Sequence, residues 1–162
     1  MKILICDKLD KITIEELEKL GTCIDVSQDN DKSEKIKENI SDAEIVLVRS
    51  DTHINKELLD ISKKLKIIGR SGVGTDNIDI EEASIRNIYV TNTPEANVIS
   101  AAELTIGLII SAARNITVAN NSVKNNEWER SEFIGVELYK KQLGLIGFGK
   151  VAKLVSKRMQ SF

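Results

Sequence analysis

The sequence predicts an α/β fold built on a parallel sheet, and three observations predict it. Short apolar runs recur through residues 1–90, each separated from the next by a segment with helical character. The runs are almost continuously apolar instead of alternating, as strands buried on both faces are. Helix-opening residues stand ahead of several intervening segments.

The elements follow in order. Ile3, Leu4, Ile5 and Cys6 form the first apolar run, closed by Asp7. Thr13 and Glu16 are spaced as a capping box opening a helix that Gly21 ends. Residues 23–26 read as the second strand, and a lysine- and glutamate-rich helix follows over 32–39. Residues 44–48 form the third strand, which delivers Arg49 at its carboxyl end. Asn55 caps a short helix through Ile61. Residues 65–69 form the fourth strand and deliver Arg70; Asp79 caps the next helix, and 88–90 are strand five. The only proline, Pro94, marks a break. One long helix is then expected over 98–121, apolar nearly all round in its first half and therefore buried in a core or against a partner. Trp128 reads as a packing residue in the segment that follows. Residues 142–146 read as a sixth strand, and 147–159 turn into a helix. One strand and one helix cannot make a stable sheet domain, so this reads as the opening of a second domain.

Composition narrows the function classes. The 162 residues are 41% hydrophobic and 30% charged, as in a soluble globular protein, with net charge −2, a balance that points to neither nucleic acid nor a membrane surface as partner. The longest apolar stretch, 98–113, contains Ser100 and Glu103 and ends at Arg114, too short and too polar for a bilayer. No signal peptide is expected, because the apolar residues after Lys2 end at Asp7; the expected location is the cytosol. Cys6 and Cys23 fit neither a zinc site nor a disulfide framework, so reduced core thiols and no metal are expected.

Two constellations carry chemistry. Gly147, Gly149 and Ala152 form a G-x-G-x-x-A pattern, with Phe148, Lys150 and Val151 between, after an expected strand and opening an expected helix. That is the context of a dinucleotide-binding turn: the first glycine permits the tight turn, the second lets backbone approach a pyrophosphate, and the helix N-terminus attracts its charge. The rival is a glycine turn in an unrelated α/β protein. The ribose-binding acidic residue would fall past Phe162, so NAD and NADP are not distinguished. The second constellation is Arg70, Ser71, Gly72, Val73, Gly74 and Thr75. Two glycines flanking one residue can turn main-chain N–H groups towards an anion, and a guanidinium adds a bidentate contact. A solvated turn with Arg70 as a surface charge fits the residue types equally well. His53 is the only histidine and lies near a strand end, but no positioned carboxylate accompanies it, and a solvated loop residue is the better reading.

Residues 67–79, 92–105 and 145–149, in this order, make the chain resemble the D-isomer-specific 2-hydroxyacid dehydrogenases. Residues 128–130, 133–138 and 158–162 are similar to the phosphoglycerate branch of that family. The resemblance implies a flavodoxin-like substrate lobe over 1–94, completed by a C-terminal segment outside these residues. It implies the start of a Rossmann NAD-binding lobe over 95–162, and a homodimer or homotetramer. The implied reaction is NAD-dependent oxidation of a D-2-hydroxyacid, 3-phospho-D-glycerate to 3-phosphohydroxypyruvate in the phosphoglycerate branch, a step of L-serine biosynthesis. By position, Arg49, Ser50, Arg70, Gly72, Val73, Gly74 and Asn97 resemble substrate-binding residues, and Arg130 one that reaches the phosphate. Val73 also resembles a residue at the nicotinamide end, while Lys150 and Val151 resemble residues at the pyrophosphate. Leu104, which stands where many relatives have histidine, decides nothing. His53 does not match the family histidine; the catalytic arginine, glutamate and histidine are expected beyond Phe162. The 162 residues alone are therefore expected to be inactive. The rivals are a dehydrogenase of an unphosphorylated acid such as glyoxylate or lactate, and a non-catalytic NAD-sensing protein of the same fold.

Overall fold

Five strands of four residues pair in parallel: β1 (Lys2–Ile5), β2 (Thr22–Asp25), β3 (Ile45–Val48), β4 (Ile67–Arg70) and β5 (Tyr89–Asn92). Their order across the sheet is β2-β1-β3-β4-β5, the flavodoxin-like doubly wound order. The helices between them are α1 (Lys11–Glu18), α2 (Lys32–Ile40), α3 (Lys56–Ile61) and α4 (Ile80–Ile85). A computed structural model describes all residues from Met1 to Phe162, which divide into two units, Met1–Ala96 and Asn97–Phe162.

Right-handed crossovers decide which face each helix covers. The chain reverses direction across the sheet between β2 and β3, so α1 lies on one face and α2, α3 and α4 on the other. On the three-helix face Leu4, Cys6, Val46, Val48 and Ile68 pack against Ile36, Ile40, Leu59 and Ala83. On the other face, Ile3 and Ile5 are fully buried. Farther along that face, Ile45, Leu47 and Ile67 are only half-buried and Tyr89 is 78% exposed. A parallel sheet normally buries both faces, so the β3–β5 half of this face is left without a layer within the unit.

The caps of α3 and α4 are as expected: Asn55 Oδ1 accepts from the Leu58 N–H at 3.2 Å, and Asp79 Oδ1 from the Glu82 N–H at 3.0 Å. The first helix differs. Its cap is Asp10, whose carboxylate takes the Thr13 N–H at 2.9 Å and the Thr13 hydroxyl at 2.8 Å. Thr13 is thus a donor in the first turn and not the cap, because Asp10 offers the stronger acceptor one turn earlier.

The second unit departs further from expectation. The single long helix is two, α5 (Val98–Ala113) and α6 (Ile116–Lys124), bent by 66°. Asn115 lies between them in the left-handed region at φ 55°, a conformation that ends a helix and that asparagine tolerates. Neither helix alone is long and apolar enough to cross a membrane. Ala102 is the one buried residue of α5; the helix packs on α7 (Lys150–Met159), where Val155 is buried and Arg158 pairs with Glu103 at 3.5 Å. Ile99, Leu104 and Leu108 are exposed. Trp128 is 75% exposed, so it is not the packing residue expected. Residues 142–146 form no strand: a strand exists through its ladder, and these residues join none. Cys6 is fully buried and Cys23 only partly so; both are free thiols.

Candidate functional site

The carboxyl ends of β3 and β4 assemble the first part of the site. Doubly wound sheets bind ligands outside the carboxyl ends of their strands, where neighbouring strands diverge in connection. Here that switch point lies between β1 and β3. Arg49 and Ser50 follow β3 directly, and Arg70 closes β4, paired in register with Val48 and Asn92. A cleft of about 630 Å³ takes in Arg49, Arg70 and Ser71, with Lys8, Asp10 and Thr13 on its α1 side. Its floor is Leu47, Gly69 and Thr91, neighbours in register on the uncovered part of the sheet.

The glycine loop after β4 is tethered on both sides. The Ser71 N–H donates to the Val48 carbonyl and the Thr93 N–H to the Gly72 carbonyl, both at 2.9 Å. Asn92 Nδ2 donates to the Val73 carbonyl at 2.7 Å. Val73 and Gly74 are exposed, so their main chain is open to a ligand. The Arg70 side chain folds over Gly72: a Cβ at residue 72 would stand 2.7 Å from the Arg70 Cζ. Arg70 Nε is buried without a hydrogen-bond partner, a free donor in a half-buried guanidinium.

Beneath this surface lies a polar network that sequence reasoning missed. Asp7, 2% exposed, accepts from Lys32 Nζ at 2.5 Å, the Arg49 N–H at 2.6 Å, the Thr52 hydroxyl at 2.7 Å and the Thr52 N–H at 3.2 Å. Burial pushes its carboxyl up, but these hydrogen bonds outweigh burial and hold it below its ordinary value. Asn77 Nδ2 donates to the carbonyls of Arg49 at 2.7 Å and Thr52 at 2.6 Å. The sequence did carry one signal: Asp7 is a charge set directly after a fully apolar strand.

His53 is exposed, in a groove with Lys32, Lys37, Asn55 and Glu57, and Asp7 does not bond it.

In the second unit, Gly149 is the N-cap of α7 in extended conformation, with no side chain capping the helix. Gly147 has φ +84°, which only glycine adopts without strain. Apart from the adjacent residues, no atom lies within 4 Å of where a Cβ would stand at Gly147 or Gly149, so no other part of the chain crowds the turn. The first i to i−4 bond of α7 runs from the Lys153 N–H to the Gly149 carbonyl at 3.0 Å, so the main-chain N–H groups of Val151 and Ala152 precede the helix's own ladder. This fits a pyrophosphate. Asn97 is the exposed N-cap of α5, its side chain making no capping bond. Arg130 opens a 3-10 turn (Arg130–Phe133) and lines a shallow depression of about 240 Å³ with Ala119, Val123, Trp128 and Phe133.

Comparison with known proteins decides the family. Residues 3–157 match the D-isomer specific 2-hydroxyacid dehydrogenase, catalytic domain family. The chain belongs to this family. It is 46% identical over its whole length to a D-3-phosphoglycerate dehydrogenase of Methanocaldococcus jannaschii. It aligns with the N-terminal part of such enzymes and spans about 30% of the length of that relative. Among solved structures, the TT0316 protein of Thermus thermophilus is similar with a TM-score of 0.88 and 26% identity, over 99% of this chain and 53% of that one. The fold is also that of D-lactate dehydrogenase from Aquifex aeolicus, a structure complexed with NAD and lactic acid. There the TM-score is 0.83 and the identity 24%, over 99% of this chain and 48% of that one.

Proposed function

We propose that the chain is the N-terminal part of a cytosolic, NAD-dependent dehydrogenase that oxidises 3-phospho-D-glycerate to 3-phosphohydroxypyruvate. The observation that carries this reading is the pair of guanidinium-bearing residues, Arg49 and Arg70, delivered by adjacent strands to one cleft beside the glycine loop. A substrate with two anionic groups needs such cations, and guanidinium recognises carboxylate and phosphate bidentately. The 46% identity to a D-3-phosphoglycerate dehydrogenase supports the choice of substrate over an unphosphorylated acid.

In this reading residues 1–94 belong to the substrate lobe. Arg49, Ser50 and Arg70 bind the acid groups, and the main chain at Gly72, Val73 and Gly74 meets the carboxylate. Residues 95–162 open the Rossmann lobe, where Gly147, Gly149, Lys150, Val151 and Ala152 receive the pyrophosphate of NAD. Asn97 serves near the reacting carbon and Arg130 at the phosphate. When held by these residues, NAD would supply the hydride acceptor for the oxidation. The acid–base residues lie in the remainder of the parent protein, whose C-terminal segment completes the substrate lobe, and the parent is a homodimer or homotetramer.

The test is NADH formation by the full-length parent with 3-phosphoglycerate, glyoxylate and lactate. The expected result is turnover of phosphoglycerate, with Arg49→Ala and Arg130→Ala raising its KM and leaving that of NAD unchanged, and no turnover by residues 1–162 alone. Turnover by the 162 residues, or preference of the parent for an unphosphorylated acid, contradicts the proposal.

A further inference from the structure

Arg49 is held at both of its main-chain polar groups by buried side chains from elsewhere in the sequence. Its N–H donates to Asp7 at 2.6 Å and its carbonyl accepts from Asn77 at 2.7 Å. Thr52, three residues on, repeats the pattern, with N–H and hydroxyl on Asp7 and carbonyl on Asn77. Asp7, Thr52 and Asn77 are all buried, whereas the Arg49 side chain is exposed at the cleft. The aim of an exposed side chain is set by its main chain, and here that main chain has no helix or strand to fix it after Val48.

The network also joins the two loops of the site. Asn77 follows the glycine loop, and the Ile54–Ile78 bridge extends the connection: the Ile54 N–H donates to the Asn77 carbonyl and the Asp79 N–H to the Ile54 carbonyl, both at 2.9 Å. A carboxylate buried at a strand end costs more than an apolar residue of the same size unless every donor is aligned on it. Four donors are aligned here, and they converge at the switch point between β1 and β3, where an apolar plug would have served stability alone.

We infer that Asp7, Thr52 and Asn77 are positioning residues that fix the backbone of residues 49–52 and thereby aim Arg49 at the anionic substrate. The inference rests on the proposed role of Arg49 in substrate binding. None of the three touches substrate; they act through the Arg49 main chain.

The test uses the full-length parent. Thr52→Val keeps the side-chain shape and removes the hydroxyl bond to Asp7; Thr52→Ser keeps the bond. Asn77→Asp keeps the size and removes both donors, a second route should Thr52→Val fail to fold. Thr52→Val and Asn77→Asp are expected to raise the KM for 3-phosphoglycerate about tenfold, with kcat and the KM for NAD within twofold, while Thr52→Ser restores the wild-type value. Amide exchange at Arg49, measured without substrate, is expected to quicken at least tenfold in the same two variants. An unchanged KM in variants that melt cooperatively, or an equal rise in the KM for NAD, overturns the inference and leaves the functional reading standing. A wild-type parent that does not oxidise phosphoglycerate overturns both.

Discussion

Gly72→Ala should weaken substrate binding without weakening the fold. The φ of Gly72 lies outside the left-handed region, so alanine meets no backbone strain there. A new methyl group would stand 2.7 Å from the Arg70 Cζ and closer still to Nη1. Atoms in contact need about 3.5–4.0 Å, and Nη1 would stand at only 1.6 Å, so the guanidinium must withdraw by about 2 Å. Because the obstructed atoms are the far end of a flexible side chain, rotation of Arg70 relieves the clash and the strands stay in place. A hydrogen bond to a charged group contributes about 1.5–3 kcal/mol, and each 1.4 kcal/mol is a factor of ten. Partial loss of that interaction predicts a KM for 3-phosphoglycerate about tenfold higher in the full-length protein. Stability should change by less than about 1 kcal/mol, since alanine at a compatible site lowers the entropy of the unfolded chain. Steady-state kinetics beside thermal melting measures both. The mechanism is checked in an Arg70→Ala background, where Gly72→Ala should have no further effect. An unchanged KM, or two effects that add, would refute the reasoning.

Two further outcomes follow from the buried groups of β1. The Asp7 carboxyl sits below its ordinary value in the folded state, so its stabilising contribution is complete above about pH 4 and is lost as pH falls through the folded value. Urea unfolding across the acid range should therefore show a shallower decline for Asp7→Asn than for wild type; parallel declines would assign acid sensitivity to other carboxylates. Burial, then the neighbouring charge of Asp7, pushes the Cys6 thiol up to about 12. Iodoacetamide at neutral pH should leave Cys6 unmodified until the protein unfolds, and mass spectrometry of native protein labelled at Cys6 would contradict that burial.

What was legible in the sequence was local. Five apolar runs gave five strands within a residue or two, and Asn55 and Asp79 gave their caps, because a cap is decided over three residues. Arg49 and Arg70 could be placed at strand ends for the same reason, since each directly follows or closes its run. Asp10 was missed because two overlapping patterns competed, and the earlier carboxylate won over the Thr13 hydroxyl. The break at Asn115 is a backbone conformation inside a continuing apolar pattern, which periodicity does not register. Residues 142–146 have the composition of a strand, but a strand is a relation to a neighbour. The network under Arg49 was hidden most deeply. Asp7 and Thr52 are 45 residues apart and Thr52 and Asn77 are 25 apart, and only the sheet order brings them together.

The most direct test is a crystal structure of the full-length parent with NAD and 3-phosphoglycerate. The account predicts the acid groups on Arg49, Arg70 and the main chain of Val73 and Gly74, with the pyrophosphate at Gly147 to Ala152. Phosphoglycerate bound away from the carboxyl ends of β3 and β4, or a dinucleotide held elsewhere than at the start of α7, would contradict it.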